Sequence, residues 1–443
     1  MKFLTLLSLL PTFTLSLTLP HPAPLPRQTT HQSLKPGAYL LTFTPSSPSK
    51  TSIYSGTLRV TSNDTTLHIS GDLYNTTTLP SPSTGIPIQP RSNYFSFLRG
   101  ISYTPLPEND GFTLGLESYP LTGFRAVMRF TDTIWASEPV DGGYTISFSR
   151  GTPEEGAGYP DAENYFTGTV TSTTDSKKEL GTMTLGYLSP FLRRATLELA
   201  SVSGVELPVS DISGTKTWKT VFESVGWDMS VAEGDRNVPE PDPANELGKE
   251  YWNEDQEHDA MLKHRSPTDF DTEWKIWLLV IRKSSQVTRG AMIDTNLRQN
   301  NIPREGTMIT SDWVVGTWVD GTPGSRDGVT WPSAVAGKKF VDVKNAWFRT
   351  AVHEVGHVLS LTHPYDFMND VMTDTPSFVT AGEEGWTEKQ FPENITPETF
   401  RFSEMDTMIL QHRPDAHVRP GFVDFGPPTD VSVFGGWKEK CEN

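Results

Sequence analysis

Three histidines and one glutamate fall within eleven positions of a 443-residue chain that has ten histidines in all. They are His353, Glu354, His357 and His363, in the stretch RTAVHEVGHVLSLTHP. On a helix, residues four apart lie about 40° apart on one face, one turn above the other. His353 and His357 can therefore bind the same metal ion, while Glu354 lies beside them as a general base for a metal-activated water.

The position of His363 indicates where this helix ends. It follows His357 by six residues, which on a continuing helix would place it about 240° around the axis. If His363 is the third ligand, the helix must end between the two, and Pro364 favours such an exit because proline disfavours helix at the residue before it. Three neutral imidazoles and a water form the open tetrahedral site of hydrolytic zinc centres. The sequence thus predicts Zn²⁺ bound by three histidines.

The stretch HEVGHVLSLTH resembles the signature of the metzincin metallopeptidases, H-E-x-x-H-x-x-G-x-x-H followed by a methionine turn. It matches at the glutamate and the three histidines, and it has Ser360 where the family has glycine. That glycine normally allows a left-handed backbone at the helix end, which serine adopts at a cost of about 1 kcal/mol. The resemblance implies that NDVMTD, residues 369–374, carries the methionine beneath the zinc. Met372 is the expected residue and Met368 the alternative.

The resemblance also implies a function and a mechanism. We expect a zinc-dependent metalloendopeptidase, a hydrolase in which Glu354 takes a proton from the attacking water and passes it to the leaving amine. The partner is a protein or peptide substrate in extended form, held by an edge strand, for which residues 306–315 are the prediction. Inhibition by a pro-segment cysteine is excluded because Cys441, the only cysteine, follows the site. Asp72 is a weaker candidate for capping the zinc in a zymogen.

Composition and charge limit the setting of this chemistry. Lys and Arg number 37 against 54 Asp and Glu, a net charge of −17, which argues against nucleic acid or an anionic membrane surface as a partner. The start, MKFLTLLSLLPTFTLSLTLP, is typical of a secretory signal peptide and too interrupted to span a bilayer. We therefore expect a secreted, extracellular protein, and sequons at Asn63, Asn75 and Asn394 fit a glycoprotein. The sequence does not indicate an oligomeric state.

The chain divides into a β-rich part and a mixed part. After a signal peptide at 1–18, residues 19–36 form a Pro-rich linker or short pro-segment. Short β-branched runs between Gly and Pro turns predict an all-β sandwich or barrel-like accessory domain over 37–206. Helical and strand patterns then predict an α+β, metzincin-like catalytic domain over 215–430, with a tail at 431–443. Within it, 273–283 is the expected central strand and 347–361 the expected metal-binding helix.

Other histidines and basic residues are weaker candidates for function. His258 and His264, six apart, are expected on a solvated helix face, and His412 and His417 in structural or exposed positions. The dibasic pair at residues 193–194 is either a processing site or part of a strand.

A different class of function remains open. The chain could be a secreted binding protein in which the β domain recognises glycan or a cell surface and the metallopeptidase-like part is only a scaffold. Glu354 favours the enzyme, because a scaffold has no need of a general base.

Overall fold

The computed structural model describes residues 34–46, 53–63, 66–106, 110–120, 143–174, 178–241, 251–285, 289–294, 300, 302–317, 331–364, 370–375, 391–392 and 395–425. The expected signal peptide, residues 19–33 of the linker, the Asn394 sequon and the tail with Cys441 lie outside these residues. Asn75 is exposed near the end of a strand. None of the described helices has the length and apolar character that a membrane crossing demands.

Eight antiparallel strands close into a barrel, in which each strand pairs with its sequence neighbours and the last pairs with the first. The inward side chains, among them Tyr39, Leu58, Phe112, Phe148 and Leu185, pack into a buried apolar core. Closure pairs every strand on both sides, so that the sheet has no free edge. The strands are β1 Gly37–Pro45, β2 Ile53–Asn63, β3 Thr66–Thr76, β4 Tyr94–Leu106, β5 Gly111–Pro120, β6 Gly143–Arg150, β7 Asp161–Ser172 and β8 Glu179–Ser189.

A second, five-stranded sheet follows the barrel in sequence. Its order is β10-β9-β11-β13-β12, with the first four strands parallel and β12 antiparallel to β13. β11 lies at the centre and is buried along its whole length, as its continuous apolar run predicts. The strands are β9 Arg193–Ser201, β10 Trp227–Glu233, β11 Lys275–Ile281, β12 Gly290–Met292 and β13 Gly306–Thr310.

Five α-helices accompany this sheet in the described part of the chain. They are α1 Trp218–Glu223, α2 Glu254–His264, α3 Lys344–Val358, α4 Glu404–His412 and α5 Asp415–Val418. α3 packs against β12 and β13. It is buried on nearly all sides, which agrees with its many apolar residues. A barrel and a mixed sheet with helices thus make a multidomain, β-rich architecture.

The boundary expected at residue 206 is wrong, because β9 belongs to the second sheet. Its run alternates apolar Leu197 and Leu199 with polar residues, which resembles an amphipathic barrel strand. Glu198 is nevertheless only 2% exposed and lies 2.8 Å from Nζ of Lys275 on the neighbouring parallel strand. Glu198 is paired with Lys275 inside the protein and not with solvent. The alternation of apolar and polar residues along β9 therefore did not indicate that both faces of this strand are buried. The boundary lies between β8 and β9.

Removing the cation of this pair should destabilise the second sheet. In Lys275→Met, Glu198 is left buried without its charge partner, and the free energy of unfolding should fall by about 3–5 kcal/mol. Lys35→Met is the matched control, because Lys35 pairs with Asp161 on the surface and such pairs contribute below about 1 kcal/mol. Denaturant unfolding followed by tryptophan fluorescence measures both. Equal effects of the two substitutions would contradict the buried pairing.

Candidate metal centre

The Nε2 atoms of three histidines converge on one point. Nε2 of His353 lies 3.0 Å from Nε2 of His357 and 3.0 Å from Nε2 of His363. A tetrahedral ion with metal–nitrogen bonds of the length found for zinc holds its nitrogens about 3.3 Å apart. Within the described residues, these three histidines form the group of potential ligands that lie close enough together to bind one metal ion.

The protons on two of these imidazoles can be assigned from their other nitrogens. Nδ1 of His353 lies 2.8 Å from the carbonyl oxygen of Val371, and Nδ1 of His357 lies 2.8 Å from that of Leu361. A carbonyl only accepts, so each Nδ1 carries the proton and each Nε2 presents a lone pair. Two lone pairs 3.0 Å apart repel each other unless a cation lies between them. The arrangement therefore fits a metal ion, with the carbonyls orienting its ligands.

The chain changes direction at the end of α3, which places Nε2 of His363 beside Nε2 of His353. The N–H of Ser360 donates to the carbonyl of His357 at 2.8 Å, and the N–H of Leu361 donates to that of Gly356 at 3.0 Å. These two bonds form a Schellman motif. Ser360 has φ of 64°, the left-handed conformation expected at the position where the metzincin pattern has glycine.

Met372 lies buried beneath the histidine helix. A Cβ added at Gly356 would be 2.5 Å from Sδ of Met372 and 3.1 Å from its Cε. Glycine at this position thus lets the methionine approach the helix backbone. The neighbouring Val371 is the residue whose carbonyl binds His353. Met368, the alternative, lies outside the described residues.

Arg349 connects α3 to the turn that carries Met372 by hydrogen bonds, a role that the sequence did not suggest. Its Nη2 donates to the carbonyls of Asp370 and Thr373, each at 2.6 Å. Arg349 lies one turn before His353 on the same face of α3, so both side chains bind the backbone of one turn. The four-residue spacing from His353 was the signal in the sequence, and it is a weak one because an arginine in an apolar helix can equally well pair with a buried carboxylate.

Burial keeps the three imidazoles neutral. It lowers the pKa of His353 well below the ordinary value, and that of His357 to about 3 and His363 to about 4. The neighbouring imidazoles add to this effect at His353 and His357. Neutral imidazole is the form that binds metals, so an ion does not compete with protons here near neutral pH.

Glu354 lies beside the histidines, also buried. Burial raises the pKa of its carboxyl to about 8, against the opposing positive charge of Arg289. The guanidinium carbon of Arg289 lies 5.3 Å from the ring centre of Trp313 and 5.8 Å from that of Trp331. A carboxyl whose pKa is near neutrality both accepts and returns a proton readily.

The strand next to Glu354 is β12, and the prediction of β13 as the edge strand is wrong. β13 lies between β11 and β12, so that its backbone is paired on both sides. A Cβ at Gly290 of β12 would be 2.6 Å from Cγ of Glu354 and 2.9 Å from Oε1. Three residues with a glycine carry too little pattern for a strand to be predicted.

The other candidates do not join the metal group. His258 is buried within α2, which corrects its expected place on a solvated face, and Nδ1 of His264 lies 2.8 Å from Asp235. His412 and His417 are both buried. Oδ2 of Asp72 lies 2.7 Å from Arg59, so the described structure does not support Asp72 as a zinc cap.

Comparison with protein-family models, curated proteins and solved structures finds no match to this chain. The geometry of the site is therefore the basis for inferring a function.

Replacing Gly356 by alanine tests the contact between the helix and Met372. Alanine favours a helix interior by about 1 kcal/mol over glycine, so a local effect alone would stabilise the protein. The contact with Sδ predicts the opposite, a lower thermal midpoint and weaker metal binding. Thermal unfolding with and without zinc measures this, and a more stable variant with unchanged metal affinity would refute the contact.

The buried imidazoles should make the metal-free protein less stable in acid. Unfolded histidines bind protons below about pH 6.5, whereas His357 and His363 do so only near pH 3 and 4. Between these limits these two histidines bind more protons in the unfolded chain, so their contribution to the free energy of unfolding falls as the pH is lowered, by about 1–2 kcal/mol per histidine at pH 5. Burial raises the pKa of Glu354 and of Asp294 to about 8, and these carboxyls change the free energy in the opposite direction. The fall due to one histidine is therefore the difference between the wild type and a histidine variant. Urea unfolding of chelator-treated protein at about pH 7 and pH 5 measures the fall. His357→Gln should reduce it by one histidine's share, and an unchanged pH dependence would contradict this account.

Proposed function

We propose that this protein is a zinc-dependent metalloendopeptidase of the metzincin type, secreted from the cell. The observation that carries the proposal is the convergence of three histidine Nε2 atoms next to the buried carboxyl of Glu354. Nitrogen ligands in a tetrahedral arrangement favour zinc among the common divalent ions. Bound zinc would supply Lewis-acid polarisation of a peptide carbonyl and an acidified water.

The chain's own groups have separate tasks in this reaction. Glu354 removes a proton from the attacking water and delivers it to the amine of the departing peptide, so that one carboxyl serves as base and then as acid. The carbonyls of Val371 and Leu361 hold two imidazoles in the ligand orientation. No side chain attacks the substrate, so no covalent intermediate with the protein is required.

The edge strand supports an extended peptide as the substrate. Among the described residues β12 is the last strand in the order of its sheet and pairs with β13, so a peptide that extended the sheet at this end would lie along β12. Such a peptide, added by main-chain hydrogen bonds, would pass Glu354, because Gly290 lies against that carboxylate. Backbone pairing is independent of side-chain identity, which fits an endopeptidase that cleaves within chains.

The alternative of a non-catalytic binding protein has less support. The barrel interior is filled by apolar side chains, so a ligand would have to bind its outer face. A scaffold also gives no reason for a carboxyl buried beside three imidazoles.

Glu354→Gln separates catalysis from metal binding. The amide keeps the volume of the side chain but cannot take a proton, so cleavage should fall by about 10²- to 10⁴-fold while zinc content is retained. A mixed peptide library analysed by mass spectrometry measures cleavage, and a chelator should abolish it in the wild type. Glu206→Gln is the matched control, because Glu206 is an exposed carboxylate that contacts Lys344, the first residue of α3. Zinc-loaded wild type that cleaves no peptide would favour the binding-protein alternative.

A further inference from the structure

A buried ionic cluster joins the barrel to the last described helix. Nη2 of Arg59 lies 2.7 Å from Oδ2 of Asp72, and its Nη1 lies 3.1 Å from Oδ1 of Asp415 at the start of α5. The backbone N–H of Asp415 donates to Oδ1 of Asp72 at 3.1 Å. The hydroxyl of Tyr94 donates to Asp72 at 2.7 Å, and that of Tyr74 donates to Asp415 at 3.0 Å. One acidic residue of α5 is thus held by β2 and β3 of the barrel.

α5 also contacts the turn at Ser360, which places His363 beside the other two histidines. The hydroxyl of Ser360 donates to the carbonyl of His417 at 2.8 Å. His417 is two residues beyond Asp415 in the same short helix. The strained backbone of Ser360 is therefore anchored to the element that the barrel holds.

A second series of contacts runs from the barrel to the end of α3. Nη1 of Arg419 donates to the carbonyl of Gln89, in the segment between β3 and β4, at 2.7 Å. Nη2 of Arg304 donates to the carbonyl of Arg419 at 2.8 Å, and its Nη1 donates to that of Val358, the last residue of α3, at 2.6 Å. Carbonyls at a helix end lack partners within the helix. The carbonyl of Val358 accepts a hydrogen bond from Arg304, which also donates to the carbonyl of Arg419.

These contacts are buried and charged, which makes the attachment of the barrel hard to reverse. Arg59, Asp72, Arg304 and Arg419 are each fully buried, with 0% of their surface exposed. Detaching the barrel would leave charges without partners until water reached them, which is strongly unfavourable. A domain removed during activation would be expected to have a smaller and more hydrated interface.

We infer that the barrel is a positioning part of the metal centre, which holds the Ser360 turn and the end of α3 through Asp415 and Arg419 and thereby sets the affinity for the metal ion. The inference rests on the metal site of the proposed function but not on peptidase activity. It gives the barrel a role within the molecule that a domain used only to recognise glycan or a cell surface would not have.

Two conservative substitutions test this role. Tyr74→Phe removes only the hydroxyl that binds Asp415, and Ser360→Ala removes only the hydroxyl that binds the carbonyl of His417. Each should speed the loss of zinc to a chromogenic chelator about fivefold or more, as expected for groups that orient metal ligands. The double variant should lose zinc more slowly than the product of the single effects predicts, because both hydroxyls act through α5.

A matched tyrosine separates positioning from general stability. The hydroxyl of Tyr119 donates to Glu117 at 2.6 Å on β5, within the barrel. Tyr119→Phe should lower the thermal midpoint without changing zinc release. Equal zinc release in wild type, Tyr74→Phe and Ser360→Ala would overturn the inference while leaving the metal centre intact. Wild type that binds neither zinc nor cobalt would overturn both the inference and the metal centre, whereas zinc binding without peptide cleavage would contradict only the peptidase.

Discussion

The repulsion between imidazole lone pairs is the constraint on which the site depends. Hydrogen bonds from Nδ1 to two carbonyls turn the Nε2 atoms of His353 and His357 towards each other at 3.0 Å. Such an arrangement is unfavourable without a cation, so the protein must supply the energy that maintains it. The surrounding contacts supply it, because the methionine turn, the Schellman motif and Arg349 all fix backbone carbonyls rather than the imidazoles themselves. The ligands are preorganised by backbone geometry.

The sequence predicted the grouping of His353, His357 and His363 better than it predicted the residues around them. Spacing alone placed His353 and His357 on one face and required the helix to end before His363, because helical periodicity is a local property. The contributions of Arg349, Gly290 and Gly356 depend on elements distant in sequence. A three-residue strand such as β12 and an arginine that binds two carbonyls leave almost no pattern in one chain, so tertiary contacts decided them.

The fold was predicted in outline, and the error at the domain boundary has a definite cause. Alternating β-rich runs led to a barrel-like domain, and a continuous apolar run led to the central strand β11. The strand β9 was assigned to the wrong sheet because Glu198 has the polarity of a surface residue. Its partner Lys275 is 77 positions further on, and no local rule connects them. Buried ion pairs conceal burial from arguments based on hydrophobic pattern.

The cluster around Asp415 also determines the order in which the protein can be completed. Domains generally fold as they leave the ribosome, N-terminal part first. The barrel strands, residues 37–189, emerge from the ribosome more than 200 residues before Asp415. Arg59 and Asp72 therefore lack their contacts with Asp415 until that residue has been synthesised. α3 also emerges before α5, so the turn at Ser360 at first lacks its hydrogen bond to His417. If the three histidines bind a metal ion, a chain that stops short of α5 would contain all three of them but would lack the contact that anchors the Ser360 turn.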